Sequence, residues 1–193
     1  METLAQQRRK AAKPLLWIGM GSITMAFAGM TSGYVVSRTT LVQNEQWLSF
    51  ELPPSFLYST LVIVFSSLVL WYGKTAIKTG NQKTLQWALL ATLLLGLLFS
   101  FLQINGWREL TENQVFFTGP GSNPAGSWVY AISVFHLAHL AGGIIIALIF
   151  TMSKSLKGKY SQEDYLGVSL LSIYWHFVDL LWVYLYVFLS VIR

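Results

Sequence analysis

The stretch SIYWHFVDLLWVYLYVFLS, residues 172–190, decides the fold class of this chain. Its residues are almost all apolar or aromatic, and it approaches the roughly 20 residues with which a helix crosses a bilayer. Within it stand His176 and Asp179, one helical turn apart. Because a carboxylate in the middle of a membrane span is costly, this pair is predicted to face the protein interior or a partner subunit rather than lipid.

The composition extends this conclusion to the whole chain. It has 193 residues, of which 54% are hydrophobic and only 11% are charged, whereas a soluble domain carries about 25% charged residues. There is no cysteine, which excludes disulfides, thiolate metal sites and cysteine nucleophiles. The net charge of +5 is concentrated in the segments that connect apolar runs, so it does not indicate nucleic-acid binding.

Five apolar segments have the length of a membrane span, and in lipid their backbone groups are satisfied by helices. They are Pro14–Val36, Ser55–Gly73, Leu85–Asn105, Trp128–Met152 and Leu166–Ile192. The sequence therefore predicts an all-α integral membrane protein with five transmembrane helices. Residues 1–13 are predicted to form a basic cytoplasmic segment, and residues 14–193 a single five-helix transmembrane domain.

The charges between the spans predict an orientation. The N-terminal segment, the second connection and the fourth connection are rich in lysine and arginine, whereas the first and third balance one arginine each against two glutamates. By the positive-inside rule, the N-terminus and the even-numbered connections are cytoplasmic. The C-terminus then lies outside, in the periplasm.

All three histidines fall within predicted spans. His136 and His139 are three residues apart, so they share one side of the fourth helix. Two imidazoles at this spacing, joined by a carboxylate from another helix, could hold a metal ion, and a bis-histidine haem would need a pair from facing helices. The alternative is a structural network, because polar side chains in membrane bundles often hydrogen-bond between helices. The residues favour the network.

Asp179 has two interpretations. It could belong to a proton-relay or lipid-headgroup site, or it could form a hydrogen-bonded pair with a histidine or hydroxyl that fixes helix packing. Gln103, near the outer end of the third span, and Arg38, at the end of the first, complete the candidate residues. We assign no catalytic, cofactor-binding or metal-binding role to any of them.

Four motifs give the chain a family resemblance. YWHFVDLLWVYLYVF (174–188) closely resembles the last-helix signature of subunit III of haem-copper oxidases, and FHLAHLAGG (135–143) resembles the histidine-rich helix before it. FLQINGW (101–107) is similar to the family pattern F-L-x-x-Q-x-x-E-W, and GMTSGYVVSR (29–38) to G-L-x-x-A-Y-x-x-x-R. Their order and spacing agree with the family, and the resemblance covers the chain from Pro14 onward.

The resemblance implies an accessory subunit of a cytochrome c oxidase, in the family's short, five-helix form. Such a subunit has no redox cofactor of its own and packs mainly against subunit I, which holds haems and copper, in a complex with subunit II and other respiratory subunits. The family's proposed roles are to stabilise the oxidase, to support proton uptake and oxygen access, and to hold phospholipids. A bacterial cytoplasmic membrane and a larger respiratory supercomplex fit this reading.

The chain also departs from the family pattern. Ile23 stands where many members carry a buried glutamate, and Gly106 replaces the glutamate of the Q-x-x-E-W motif. Roles that need those carboxylates are therefore not carried over. The alternatives are subunit III of a quinol oxidase and a similar accessory protein of nitric oxide reductase; from another class, they are a small transporter and a haem-binding membrane cytochrome.

Overall fold

The computed structural model describes residues 4–192, and these form helices joined by short connections. They are α1 (Leu4–Gln43), α2 (Pro54–Lys78), α3 (Gln82–Glu112), α4 (Pro124–Gly142), α5 (Ile149–Leu156) and α6 (Leu166–Val191). A π-helical segment, Gly143–Leu148, joins α4 directly to α5. Together these three form one long rod, so five helices are long and apolar enough to cross a membrane. The five-span prediction is confirmed.

The first helix begins at Leu4, before the start of the predicted first span at Pro14. The preceding residues are rich in Ala, Gln, Arg and Lys, which are good helix formers, so the helix runs through the predicted basic segment. Pro14 lies inside the helix without ending it. The proposed division at residues 13 and 14 is thus not a break in secondary structure, and as a domain boundary it stays a prediction.

Local sequence explains where the other helices begin. Pro54 occupies the first turn of α2, where the missing proline N–H has no helical partner to lose. Asn81 precedes α3 and accepts a hydrogen bond of 3.1 Å from the Thr84 backbone N–H. Asn123 does the same for α4, where its side-chain oxygen accepts a hydrogen bond of 2.9 Å from the Ala125 backbone N–H. Both asparagines therefore satisfy backbone donors that a helix start leaves unpaired.

Helices α2 and α3 form an antiparallel pair in close contact. A Cβ added to Gly73 of α2 would lie 2.5 Å from the Ala88 Cβ of α3, and one added to Gly106 of α3 would lie 2.6 Å from the Phe56 ring of α2. Small residues at these two levels let the backbones approach closely, as is typical of helix pairs in lipid.

Helix α6 packs against this pair, and its large side chains fill the centre of the bundle. Trp175 and Trp182 are completely buried. Most of the buried side chains of helix α1 lie in its second half, among them Phe27, Thr31 and Tyr34. The Tyr34 hydroxyl donates 2.6 Å to the Ile192 carbonyl oxygen and so ties α1 to the end of α6.

Candidate functional site

The polar cluster in the sixth helix is built around a serine from the second. The Ser67 hydroxyl donates to Asp179 Oδ2, and its oxygen lies 3.0 Å from His176 Nδ1. A serine that gives its only proton to the carboxylate accepts the Nδ1–H of the imidazole. Ser67 thus joins the two residues that the sequence singled out, and they do not bond to each other directly.

Burial differs within this cluster. Asp179 is only 3% exposed, whereas Ser67 and His176 are partly exposed. The second carboxylate oxygen, Oδ1, is buried and has no hydrogen-bond partner in the part of the chain that the structure describes. The cluster therefore has more hydrogen-bonding capacity than its own chain uses.

Hydroxyl groups on α2 also hold the neighbouring aromatic and amide side chains. Trp182 Nε1–H donates 2.9 Å to Thr60 Oγ1, and Trp175 Nε1–H donates 2.9 Å to Ser66 Oγ. Gln103 of α3 donates 2.7 Å from its amide to Ser59 Oγ. Gln103 is completely buried, and its bond links α3 to α2. The row of hydroxyl groups on α2 therefore links this helix to α3 and α6 by hydrogen bonds.

The histidines of α4 have different surroundings, although they lie one turn apart. His136 is completely buried, with its ring centroid 4.9 Å from that of Trp182 and 5.9 Å from that of Phe99. Neither of its ring nitrogens has a partner among the described residues. His139 is partly exposed, and its Nδ1 lies 2.8 Å from the Phe135 carbonyl oxygen of its own helix.

The geometry gives no support to a metal site on these residues. Across residues 4–192 there is no group of three or more histidine, cysteine, aspartate or glutamate side chains that could hold a metal ion. His136 is enclosed by aromatic rings, and His176 is engaged with Ser67 on another helix. Arg38 lies one turn beyond Tyr34, near the end of α1. It is not part of the cluster formed by Ser67, His176 and Asp179.

A second candidate site, which sequence reasoning missed, is a groove of about 750 Å³ between α1, the α4–α5 rod and α6. It lies beside the first half of α1, most of whose side chains are exposed. Its apolar lining includes Leu16, Ile146 and Leu170. Its polar lining residues, which we call the rim, are Arg9, Thr151, Lys154, Lys159, Tyr160 and Asp164. Three cations against one carboxylate make this rim attractive to an anion.

The rim is organised by contacts between distant parts of the chain. Arg9 pairs with Asp164 at 2.5 Å, and Lys154 Nζ stands 4.3 Å from the centroid of the Phe150 ring. Burial raises the pKa of the Tyr160 phenol, and the charge of Asp164 raises it further, while a hydrogen bond with Thr151 acts in the opposite direction. Tyr160 therefore remains protonated at neutral pH.

Substitutions of Asp179 test whether its role is structural. We expect Asp179→Asn to fold normally, because the amide oxygen accepts the hydrogen bond from Ser67 without a buried charge. We expect Asp179→Leu to lower the free energy of unfolding by about 1–3 kcal/mol, because the Ser67 hydroxyl loses the carboxylate that accepts its proton. Unfolding in mixed detergent micelles measures both. Equal damage by Asn and Leu would instead identify the negative charge as the required feature.

Comparison with known proteins identifies the family of this chain. The family model for cytochrome c oxidase subunit III matches residues 42–192, well over half of the chain. The chain is 28% identical to cytochrome c oxidase subunit 3 of Thermostichus vulcanus, over 89% of this chain and 82% of the relative. It is 27% identical to the cytochrome c oxidase subunit 3 of Corynebacterium diphtheriae, over 95% of this chain and 92% of the relative. It is 30% identical to a probable cytochrome c oxidase subunit 3 of Mycobacterium tuberculosis, over 93% of this chain and 86% of the relative. The chain therefore belongs to the cytochrome c oxidase subunit III family.

Proposed function

We propose that this chain is the non-catalytic accessory subunit III of a cytochrome c oxidase that reduces O2 and moves protons. The observation that carries the proposal is the use of its polar membrane residues. Thr60, Ser66, Ser67 and Gln103 bond to other helices of the same chain. Such a chain stabilises an assembly, and the haems and copper belong to its partners.

Orientation and location follow from charge and family. The N-terminus and the α2–α3 and α5–α6 connections lie in the cytoplasm, and the C-terminus lies in the periplasm, because the former carry the lysine and arginine excess. The similar proteins from Corynebacterium and Mycobacterium support a bacterial cytoplasmic membrane. A reporter enzyme that works only outside the cytoplasm should be active when it is fused to the C-terminus. Activity of a reporter that works only in the cytoplasm, fused at the same position, would reverse the proposed orientation.

Subunit I is the proposed main partner, with subunit II and other respiratory subunits in the same complex or supercomplex. The test is purification of the tagged chain from its native membrane in mild detergent, followed by protein identification and an absorption spectrum. We expect the haem-bearing and copper-bearing subunits to co-purify. The chain expressed alone should show no Soret band, and a haem spectrum from the lone chain would overturn the proposal.

We also propose that the groove between α1 and α6 holds an anionic phospholipid. Its apolar walls suit acyl chains, while Arg9, Lys154 and Lys159 stand together at the rim, where a phosphate would lie at the membrane surface. The protonated Tyr160 phenol offers a hydrogen-bond donor at the same level. In the proposed orientation, this rim faces the cytoplasm.

Neutralising the rim should remove the lipid. We expect the double variant Lys154→Gln, Lys159→Gln to lose affinity for an anionic phospholipid by about 1 kcal/mol for each lysine, or about fivefold each. The matched control is Lys83→Gln, an exposed lysine at the same end of the bundle but outside the groove. Native mass spectrometry in detergent doped with phosphatidylglycerol measures the bound lipid. Equal lipid loss from the control would argue against a specific site.

A further inference from the structure

The first part of α1 packs against the rest of the chain along one narrow side. Residues 6–18, which we name the arm, are all exposed except Ala12 and Leu16, which are partly buried. Together with Arg9 and the buried Met20, these two residues recur every three or four positions, so they share one side of the helix. The arm forms one wall of the groove, to which it contributes Arg9 and Leu16.

The ion pair between Arg9 and Asp164 joins the arm to the connection that precedes α6. The two side chains are 53% and 49% exposed. An exposed ion pair contributes little to the stability of a protein, and salt weakens it further. The contact that holds the arm at the rim can therefore break while the buried core of the bundle stays folded.

Two glycines lie where the arm ends, and they have no close neighbour among the described residues. A Cβ added to Gly19 or Gly21 would meet nothing within 4 Å, whereas one added to Gly33, further along α1, would lie 2.8 Å from the Trp128 ring. Glycine weakens a helix relative to alanine, because its backbone loses more conformational freedom on folding. Without a packing contact to explain them, Gly19 and Gly21 make α1 weak at the end of the arm.

Hydroxyl side chains weaken the helix at the same place. The Ser22 hydroxyl donates 3.2 Å to the Ile18 carbonyl oxygen, and the Thr24 hydroxyl donates 2.9 Å to the Met20 carbonyl oxygen. Side chains that bond back to the preceding turn often bend a helix. A glycine beside a serine, here Gly21 and Ser22, is also one of the few causes of sharp helix kinks.

A weak stretch of helix, a wall of the groove and a breakable ion pair thus belong to one element. We propose that the arm swings at residues 19–22 and gates the groove, with the Arg9–Asp164 pair as the latch that holds it closed. An arriving lipid phosphate competes with Asp164 for Arg9, because a guanidinium binds both anions. The open arm then gives the phospholipid a lateral route between bilayer and groove. This gate rests on the proposed lipid site, to which it adds the route of entry.

A reversible crosslink in the full chain tests the gate. The sequence contains no cysteine, so Arg9→Cys combined with Asp164→Cys places the only two thiols at the latch and leaves the net charge unchanged. A thiol crosslinker with a reducible linkage joins them. Native mass spectrometry then follows the replacement of bound, isotope-labelled phosphatidylglycerol by unlabelled lipid. We expect exchange to be lost while the crosslink is present and to return after reduction. Equal exchange in both states would overturn the gate.

Stiffening the hinge tests the role of the two glycines. We expect Gly19→Ala combined with Gly21→Ala to slow lipid exchange by about two- to fivefold for each alanine, because bending must then break a more stable helix. The amount of lipid bound at equilibrium should stay the same, which damage to the groove would not allow. Gly29→Ala is the matched control: a Cβ there also meets nothing within 4 Å, but Gly29 lies between the buried Phe27 and Thr31. Equal slowing by the control would overturn the assigned hinge.

The outcomes distinguish the gate from the site. An unsubstituted chain that retains no phosphatidylglycerol would overturn the proposed lipid site and the gate with it. Bound lipid that exchanges equally fast with and without the crosslink would leave the site standing and remove the gate. Loss of the double-alanine chain from the purified oxidase would instead assign Gly19 and Gly21 to a contact with a partner helix and would overturn the hinge.

Discussion

Replacing Trp182 with alanine is expected to lower the free energy of unfolding by about 3–5 kcal/mol, the usual effect of removing a large buried aromatic side chain. Trp182 is completely buried. Its ring packs 5.3 Å from Phe99 and 4.9 Å from His136, measured between centroids. Its indole also donates to Thr60 of α2. One substitution therefore opens a cavity where α2, α3, α4 and α6 meet.

Two further variants separate the contribution of packing from that of the hydrogen bond, and the effect at a buried tryptophan from the effect at an exposed one. Trp182→Phe keeps most of the ring but loses the bond to Thr60, so its effect should be about 1–3 kcal/mol, the cost of leaving a buried acceptor unpaired. Trp87→Ala removes a tryptophan that is 71% exposed on α3, and its effect should be small. Unfolding in mixed micelles measures all three. A Trp87 variant as unstable as the Trp182 variant would show that exposure in this structure does not govern stability.

The helices themselves were predictable because membrane spans leave a strong signal in hydropathy. The five predicted spans correspond to the five long apolar helices. Their ends were less predictable, since Leu4–Gln43 extends well beyond the apolar run in both directions. The π-helical segment Gly143–Leu148 was not anticipated. It occurs within a uniform run of apolar residues, where the choice between helix types depends on packing rather than on hydropathy.

The site was predictable only in part, because sequence spacing gives direction along a helix but not the partner. Asp179 was expected to pair with a histidine or a hydroxyl, and its partner is the Ser67 hydroxyl. A signal for Ser67 was present: hydroxyl residues occur as adjacent pairs at 59–60 and 66–67, seven residues apart on α2. Seven residues are about two helical turns, so both pairs fall on the same side of that helix.

The two histidines of α4 show the limit of spacing most clearly. Residues three apart differ by about 60° around a helix, and here that rotation crosses the edge of the core. His136 is completely buried, while His139 is partly exposed. The basic groove was missed for a related reason: it joins Arg9 to Lys154 and Asp164, which are far apart in sequence and are brought together only by the packing of the helices.

Substitution of Gly73 with alanine is expected to destabilise the chain by about 1–3 kcal/mol, because it overpacks the closest helix contact. The added Cβ would lie 2.5 Å from the Ala88 Cβ, so α2 and α3 would have to separate. An alanine usually favours a helix over glycine by about 1 kcal/mol. Destabilisation would therefore run against the intrinsic helix preference and would report the interhelical clash.

The reciprocal swap makes this test specific to the contact between the two helices. Ala88→Gly combined with Gly73→Ala exchanges the two side chains across the interface and keeps one Cβ between the backbones, so stability should return to near that of the unsubstituted chain. Gly21→Ala is the control, because a Cβ there meets nothing within 4 Å, and it should be neutral or slightly stabilising. Unfolding in mixed micelles compares the four proteins. A double variant no more stable than Gly73→Ala alone would mean that the clash lies elsewhere, and the close α2–α3 packing would then not explain the need for glycine at this position.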